Sequence, residues 1–159
     1  MYGGAAVVYY EEGELVPQAF SLPDVEGFEE AEVRAIEQGL QLALDMMLNH
    51  TTNRRKVIVL SGSQQAQRLL AKHITGRTEG FHSSTSRAVA AAACNARRLR
   101  QLGVEVEILW SPGHMGIPGN LVVDWVARTA RAYTQGLPDS RALELAGRVE
   151  RRENPYSQR

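Results

Sequence analysis

The sequence predicts an α/β domain in which helices flank a mixed β-sheet. Residues 5–10 and 14–21 read as two strands joined by the turn residues Glu11-Glu12-Gly13, which predicts an antiparallel hairpin. Residues 56–61 form a short apolar run, and residues 104–110 alternate apolar and charged residues before becoming fully apolar. Helical patterns separate these two predicted strands, and such an order is typical of parallel strands covered by helices. The order hairpin, helix, strand, helix, helix, strand, helix therefore indicates one sheet with helices on both faces.

The first half of the chain contains the hairpin, a long helix and a buried strand. The hairpin strands are predicted at residues 5–10 and 14–21, joined by a turn at Glu11-Glu12-Gly13. Residues 29–49 have apolar positions at helical spacing and acids in the first turn, which favour a helix. Residues 56–61 form a short apolar run that suits a buried parallel strand.

The second half adds further helices around one strand. Helices are predicted at residues 64–72, 83–101, 120–133 and 137–150, and a strand at residues 104–110. A Ser/Thr cluster caps the helix at 83–101, Gly103 closes it, and Asn120 is the predicted N-cap of the next. We expect one domain at residues 1–135, followed by a C-terminal helix and polar tail at residues 136–159.

Composition limits the classes of partner. The chain has 159 residues, with 18 Lys and Arg balanced by 18 Asp and Glu, so nucleic acid could be bound only by local patches. The single Cys94 cannot form an internal disulfide, which favours an intracellular, reducing compartment, cytoplasm or nucleus. No apolar run reaches membrane-spanning length and no targeting signal is seen, so we expect no membrane partner.

One stretch connects a predicted strand to a predicted helix and concentrates candidate site residues. Residues 110–120 read Trp-Ser-Pro-Gly-His-Met-Gly-Ile-Pro-Gly-Asn, and Asp124 follows in the first helical turn. A loop His and a helix Asp then point into one crevice at a strand's carboxyl end, where open α/β sheets keep their sites. The alternative is an ordinary Gly/Pro connection with a surface His.

This stretch resembles the last motif of the type 1 ribonuclease H family, roughly Trp-x-Pro-Gly-His-x-Gly-x-x-Gly-Asn-x-x-x-Asp. It is most similar to the ribonuclease H domains of retrotransposon reverse transcriptases. The element order resembles the family from its second strand to its last helix. The family opens with a central strand ending Asp-Gly-Ser, and this sequence begins at the Gly-Gly that normally follows it, so we expect that first strand to be missing.

The resemblance implies a site for two divalent ions, Mg²⁺ or Mn²⁺, that cleaves the RNA strand of RNA–DNA hybrids. In the family, four carboxylates hold these ions. The resemblance assigns catalytic and metal-binding roles to Glu32 and Asp124, and proton transfer or product release to His114. Each residue also has a simpler interpretation. Glu32 could be a first-turn acid that favours the helix dipole, Asp124 could form a salt bridge with Arg128, and His114 could be an exposed loop histidine.

The helical wheel places Glu32 on the packed face of its helix. At 100° per residue it stacks over Ile36 and the apolar stripe, whereas Glu30 and Glu37 are predicted to point away. A carboxylate on a packed face needs a partner or a function. Together with the Ala-Glu-x-x-Ala-Ile pattern at residues 31–36, this favours Glu32 as a site residue.

Two of the four carboxylates implied by the resemblance are missing. Where the family has Asp-Ser-Gln after a strand, this chain has Gly62-Ser63-Gln64, and the first-strand Asp is absent with its strand. Glycine has no side chain to bind a metal, and Ser61 and Ser63 are weak, neutral ligands. We therefore expect a catalytically inactive domain that needs no cofactor; an active one would need Mg²⁺ or Mn²⁺ at Glu32 and Asp124.

Candidate contacts to nucleic acid come from local basic residues. The resemblance makes an RNA–DNA hybrid or another nucleic acid the expected ligand, and the candidate contacts are Arg54, Arg55, Arg97 and Arg98. The alternative is a solvated helix face balanced by acids. Trp110 and Trp125 lie within apolar runs and are predicted to be core residues rather than stacking platforms.

The predicted missing strand leaves an unpaired strand edge. The strands near Ala5 and Val57 could pair directly, a partner chain could cover the gap, or the sequence could be a fragment of a longer protein. We expect a homodimer. Three functions follow: an inactive binding or dimerisation module, an active ribonuclease H that takes missing carboxylates from a partner chain or upstream segment, and a purely structural protein.

Overall fold

A computed structural model describes residues 3–11, 14–22, 24–49, 55–74, 83–112 and 118–134. The chain divides into two compact units, one formed by Met1–Val25 with Pro112–Arg159 and the other by Glu26–Ser111. The described strands and helices are β1 (Gly3–Glu11), β2 (Glu14–Leu22), α1 (Phe28–Leu48), β3 (Lys56–Ser61), α2 (Gln64–Ile74), α3 (Ser84–Gln101), β4 (Glu105–Trp110) and α4 (Pro118–Thr134). Among these described helices, none is both long and apolar enough to cross a membrane.

The first unit consists of the β1–β2 hairpin and α4. The two strands pair antiparallel along their whole length, from Gly3 opposite Leu22 to Glu11 opposite Glu14, which confirms the predicted hairpin. α4 packs against both strands. Ala5 and Ala6 of β1 and Ala130 of α4 are buried. Successive residues of a strand point to opposite faces, so one of the two β1 alanines is on the face that α4 covers, where a small side chain allows close approach of the helix.

The start of α4 differs from the prediction. Asn120 was the predicted N-cap, but the helix begins at Pro118, so Asn120 lies inside its first turn. Proline suits the first helical position because its φ is already helical and its missing N–H would have no intrahelical partner there.

The second unit is built on the packing of α1 against α3. Leu40 and Leu44 of α1 and Leu99 of α3 are almost completely buried, in one cluster with residues of α2 and β4. α3 contributes Ala92 and Ala96 to this cluster, and their size lets the two helices pack closely. The predicted helices at residues 29–49, 64–72 and 83–101 are confirmed within one or two residues at each end.

The ends of α3 follow the predicted chemistry. Ser83 is the N-cap, and its hydroxyl oxygen accepts a hydrogen bond from the Ser86 N–H at 3.1 Å. At the other end Gly103 has φ of 78°, a left-handed conformation that favours glycine. The Gly103 N–H donates to the Arg100 carbonyl and the Val104 N–H to the Leu99 carbonyl, which is a Schellman motif.

β3 and β4 form a parallel pair, but only one face of it is buried. Val57 and Val59 pack against the helical core, whereas Ile58 and Leu60 are 51% and 59% exposed. The prediction of a parallel strand at residues 56–61 is confirmed, and the prediction that it is buried is wrong for alternate residues. The physical reason is that α1 packs on the Val57 side, while no described element covers Ile58 or Leu60.

The described strands form two sheets of two strands, where one mixed sheet was predicted. Connection length explains why the strand directions were predictable: a tight turn dictates antiparallel pairing, and a helical crossover permits parallel pairing. Connection length does not determine whether two pairs of strands join into one sheet. The predicted helix at residues 137–150 and the tail lie outside the described residues.

Candidate functional site

The carboxyl end of β3 is a tight turn closed by its own hydroxyl groups. The Ser63 N–H donates to the Ser61 hydroxyl oxygen at 3.1 Å, and the Ala66 N–H donates to the Ser63 hydroxyl oxygen at 3.1 Å. Ser63 thereby caps the first turn of α2. The Ser111 N–H donates to the Ser61 carbonyl at 3.0 Å, which extends the β3–β4 pairing by one residue. Both hydroxyl groups that flank Gly62 therefore already have structural roles.

Nothing in the backbone of this turn requires glycine at position 62. Among the described glycines only Gly103 has a positive φ, so Gly62 occupies a conformation open to other residues. A Cβ at Gly62 would have the Ser111 carbonyl oxygen as its nearest neighbour, at 3.9 Å, which is ordinary van der Waals contact. Gly62 is also exposed. The turn therefore leaves room for a Cβ at this position, and the fold does not explain why glycine stands where the resemblance predicts an aspartate.

The other predicted site residues are distributed over both units. Glu32 is half-buried near the start of α1, in the unit that contains Gly62, and α1 packs against β3 in that unit. Asp124 is half-buried in α4, in the other unit. His114 lies outside the described residues. Over the part of the chain that is described, no group of three or more His, Cys, Asp or Glu side chains could hold a metal ion.

The acid buried at the start of α1 is Glu30. Its side chain has no exposed surface, so the prediction that Glu30 points away is wrong. Its carboxylate accepts hydrogen bonds from the Ser84 hydroxyl at 2.5 Å and from the Glu26 N–H at 2.7 Å, and it forms an ion pair with Arg34. Glu30 lies three residues before Val33 on the buried stripe of α1, and Ser84 opens α3. This carboxylate therefore links the first turns of the two packed helices.

The interactions of the Glu30 carboxylate lower its pKa more than burial raises it. Burial raises the pKa of a carboxyl group, but the Glu26 N–H, the Ser84 hydroxyl and the Arg34 guanidinium together hold the pKa of Glu30 below its ordinary value. Glu37, also predicted to point away, is half-buried, and burial raises its pKa. Sequence reasoning missed Glu30 because its partner Ser84 is 54 residues away in the chain. Spacing to Val33 was the one available signal.

The candidate nucleic-acid residues are exposed where they are described. Arg55 precedes β3, and Arg97 and Arg98 lie near the end of α3, all with exposed side chains. Arg54 lies outside the described residues. Because Arg98 is in the last turn of α3, it also complements the negative end of the helix dipole.

The two tryptophans differ in environment. Trp110, at the end of β4, is 49% exposed, so the prediction that it is a core residue is wrong. Trp125 is half-buried in α4. The apolar run 104–110 therefore changes from buried at Val106 to exposed at Leu109 and Trp110.

No protein-family model matches this chain, and no curated protein sequence is significantly similar to it.

Proposed function

We propose that this chain is a degenerate ribonuclease H-like domain that does not cleave nucleic acid and acts as a binding module. Its ligand is nucleic acid or a second copy of the chain. The observation that carries the proposal is the turn after β3. Glycine stands where the resemblance expects an aspartate, and the hydroxyls of Ser61 and Ser63 are engaged in the turn and the helix cap.

The chemistry of phosphodiester hydrolysis supports an inactive domain. Two divalent ions in one site need several carboxylates to offset their charge and to fill their oxygen ligand sets. Glu32 and Asp124 are the retained candidates, and Gly62 contributes no ligand. Two carboxylates offset only half of the charge of two divalent ions, so such a site stays empty at ordinary Mg²⁺ concentration.

The surface of the β3–β4 pair supports the dimerisation role. Ile58 and Leu60 of β3 and Leu109 of β4 are large, apolar and exposed, and the register places Leu60 directly opposite Leu109. Parallel strands are ordinarily covered on both faces, so a two-stranded parallel pair with an open apolar face favours a covering partner. A second copy would bury this face against its equivalent.

The test of inactivity is cleavage of an end-labelled RNA–DNA hybrid in Mg²⁺ and in Mn²⁺, with the parent chain beside an Asp124→Asn variant. We expect no cleavage by either protein. Cleavage by the parent and not by the variant would contradict the proposal. It would favour the alternative, an active ribonuclease H that obtains its missing carboxylates from a partner chain or an upstream segment.

A second experiment tests whether residue 62 belongs to an ion site. Gly62→Asp adds a carboxylate that the turn can accommodate, and Gly62→Asn is the matched variant of the same shape without charge. We expect Mn²⁺, titrated by calorimetry, to bind the Asp variant more tightly than the parent or the Asn variant. Equal affinity for all three proteins would contradict the ribonuclease H-like interpretation of this turn.

A further inference from the structure

An open groove lies between α2 and the end of β4, entirely within the second unit. Its walls are one stripe of α2, formed by Gln64, Gln67, Arg68 and Ala71, and the indole of Trp110. These α2 residues follow helical spacing, so they share one face of the helix. The groove has a volume of about 360 Å³, near the lower end of the roughly 300–1,000 Å³ range of small-ligand sites.

One side-chain donor of this groove lacks an acceptor among the described residues. The Gln67 side-chain nitrogen is buried and donates to no acceptor in the described part of the chain. An unpaired buried donor is unfavourable, so its presence favours a ligand that supplies an acceptor. The guanidinium of Arg68 is exposed at the same wall, and none of the described residues that line the groove is a carboxylate. The lining therefore suits a ligand that carries acceptors and negative charge.

The indole of Trp110 adds a flat aromatic surface. About half of this side chain is exposed, although burial of an indole is strongly favourable. An aromatic face stacks on any nucleobase, because every base has a π-face. A glutamine amide can pair with the edge of a base, and an arginine can contact the adjoining phosphate.

We propose that the groove between α2 and β4 binds one unpaired nucleotide of a single-stranded nucleic acid. The base stacks on Trp110 and Arg68 contacts the phosphate. Rotation of the Gln67 side chain brings its buried amide N–H to an acceptor on the base edge. An acidic peptide would satisfy Arg68 but would leave the indole face without a π partner. This proposal rests on the nucleic-acid-binding role proposed above and names the class of ligand. It requires neither an ion site nor binding of an RNA–DNA hybrid, so the two proposals can fail separately.

The experiment follows the fluorescence of Trp110 during titration with a short single-stranded oligodeoxyadenylate. The chain has two tryptophans, and Trp125→Phe leaves Trp110 as the sole indole. The matched ligand is an abasic oligonucleotide of the same length, which keeps the phosphates and removes the bases. We expect quenching by the oligodeoxyadenylate and at least tenfold weaker binding of the abasic strand, measured by anisotropy of labelled strands.

Variants of the parent chain complete the test by anisotropy. Trp110→Leu is expected to weaken oligodeoxyadenylate binding about tenfold, because stacking is lost. Arg68→Gln is expected to weaken it and to lower its salt dependence by about one phosphate contact. Gln65→Ala, an exposed α2 residue outside the groove, is the control and should bind as the parent does.

Three outcomes would overturn the proposal. They are equal affinity for the abasic strand, unchanged affinity of Trp110→Leu with its fold intact by circular dichroism, and tighter binding of an oligoglutamate peptide than of the oligodeoxyadenylate. The last result would assign the groove to an acidic protein segment. Hybrid cleavage and Mn²⁺ affinity test the other proposal and do not depend on these results.

Discussion

The carboxylate of Glu30 joins the first turns of α1 and α3. It is a buried ionised group, which is costly to desolvate, but its hydrogen bonds from Ser84 and Glu26 and its ion pair with Arg34 compensate. The Ser84 N–H also donates to the Glu26 side chain at 3.4 Å, so Ser84 forms two hydrogen bonds across this contact. Its role is therefore to fix how two helices begin relative to each other.

Glu30→Gln should destabilise the fold. The carboxylate of Glu30 accepts hydrogen bonds, whereas the amide nitrogen of glutamine is itself a donor and would face the same donor groups. The negative charge opposite Arg34 would also be lost. We expect a loss of about 2 kcal/mol in the free energy of unfolding at pH 7, measured by urea denaturation. Glu29→Gln, at an exposed position in the same turn, is the control and should change it by about 0.5 kcal/mol or less.

The same pair of proteins should differ less at low pH. The pKa of Glu30 is lower in the folded chain than its ordinary value of 4.5, so its contribution is fully present above that value and lost as pH falls through the folded pKa. The difference between parent and Glu30→Gln should therefore be largest near neutral pH and shrink in acid. A difference that grows as pH falls would contradict the lowered pKa.

The end of α3 depends on one glycine with a left-handed backbone. Gly103 closes the Schellman motif that turns the chain from α3 into β4, and Val104 follows it into the core beside Leu99. The parallel pairing of β3 and β4 is reached through this turn. Local backbone chemistry at Gly103 thus determines where β4 starts.

Gly103→Ala should weaken the fold, because a Cβ is disfavoured at φ of 78° although no atom lies within 4 Å of it. We expect a loss of about 1–2 kcal/mol in the free energy of unfolding. Gly27→Ala is the matched control, since Gly27 is extended with φ of −179° and also has open space around its Cβ position. Equal effects of the two substitutions would argue against strain at Gly103.

At the level of the whole molecule, the main unexplained feature is the face of the β3–β4 pair that exposes large apolar side chains. At one end Lys56 pairs with Glu105 and Glu107 across the strands. At the other end Leu60 and Leu109 lie side by side and exposed. Because this surface is charged at one end and apolar at the other, two copies would align in a defined way, with the apolar ends in contact.

Light scattering at micromolar concentration tests the dimer. We expect twice the chain mass for the parent and the monomer mass for Leu60→Lys, because a buried lysine at the centre of the apolar face is costly to desolvate. Leu48→Lys, an exposed leucine at the end of α1, is the matched control and should remain dimeric. A monomeric parent would contradict dimerisation through this face.

Much of the architecture could be predicted because it rests on local physics. Period-2 and helical patterns identified the described strands and helices, and Ser83 and Gly103 identified the ends of α3. The family resemblance of the motif at residues 110–124 and the incomplete ion site inferred from Gly62 are predictions that the structure does not test. The assignments of Glu32, Asp124 and His114 remain predictions of that resemblance.

What the sequence determined by itself was the kind, order and direction of its elements, since backbone propensity and connection length act within a few residues. The tertiary structure decided which faces are buried, because burial depends on what packs from elsewhere in the chain. It buried Glu30 beside Ser84, exposed Ile58, Leu60 and Trp110, and separated the strands into two sheets. A helical wheel predicts which side of a helix a residue lies on, but the residue is buried only where another element packs against that side.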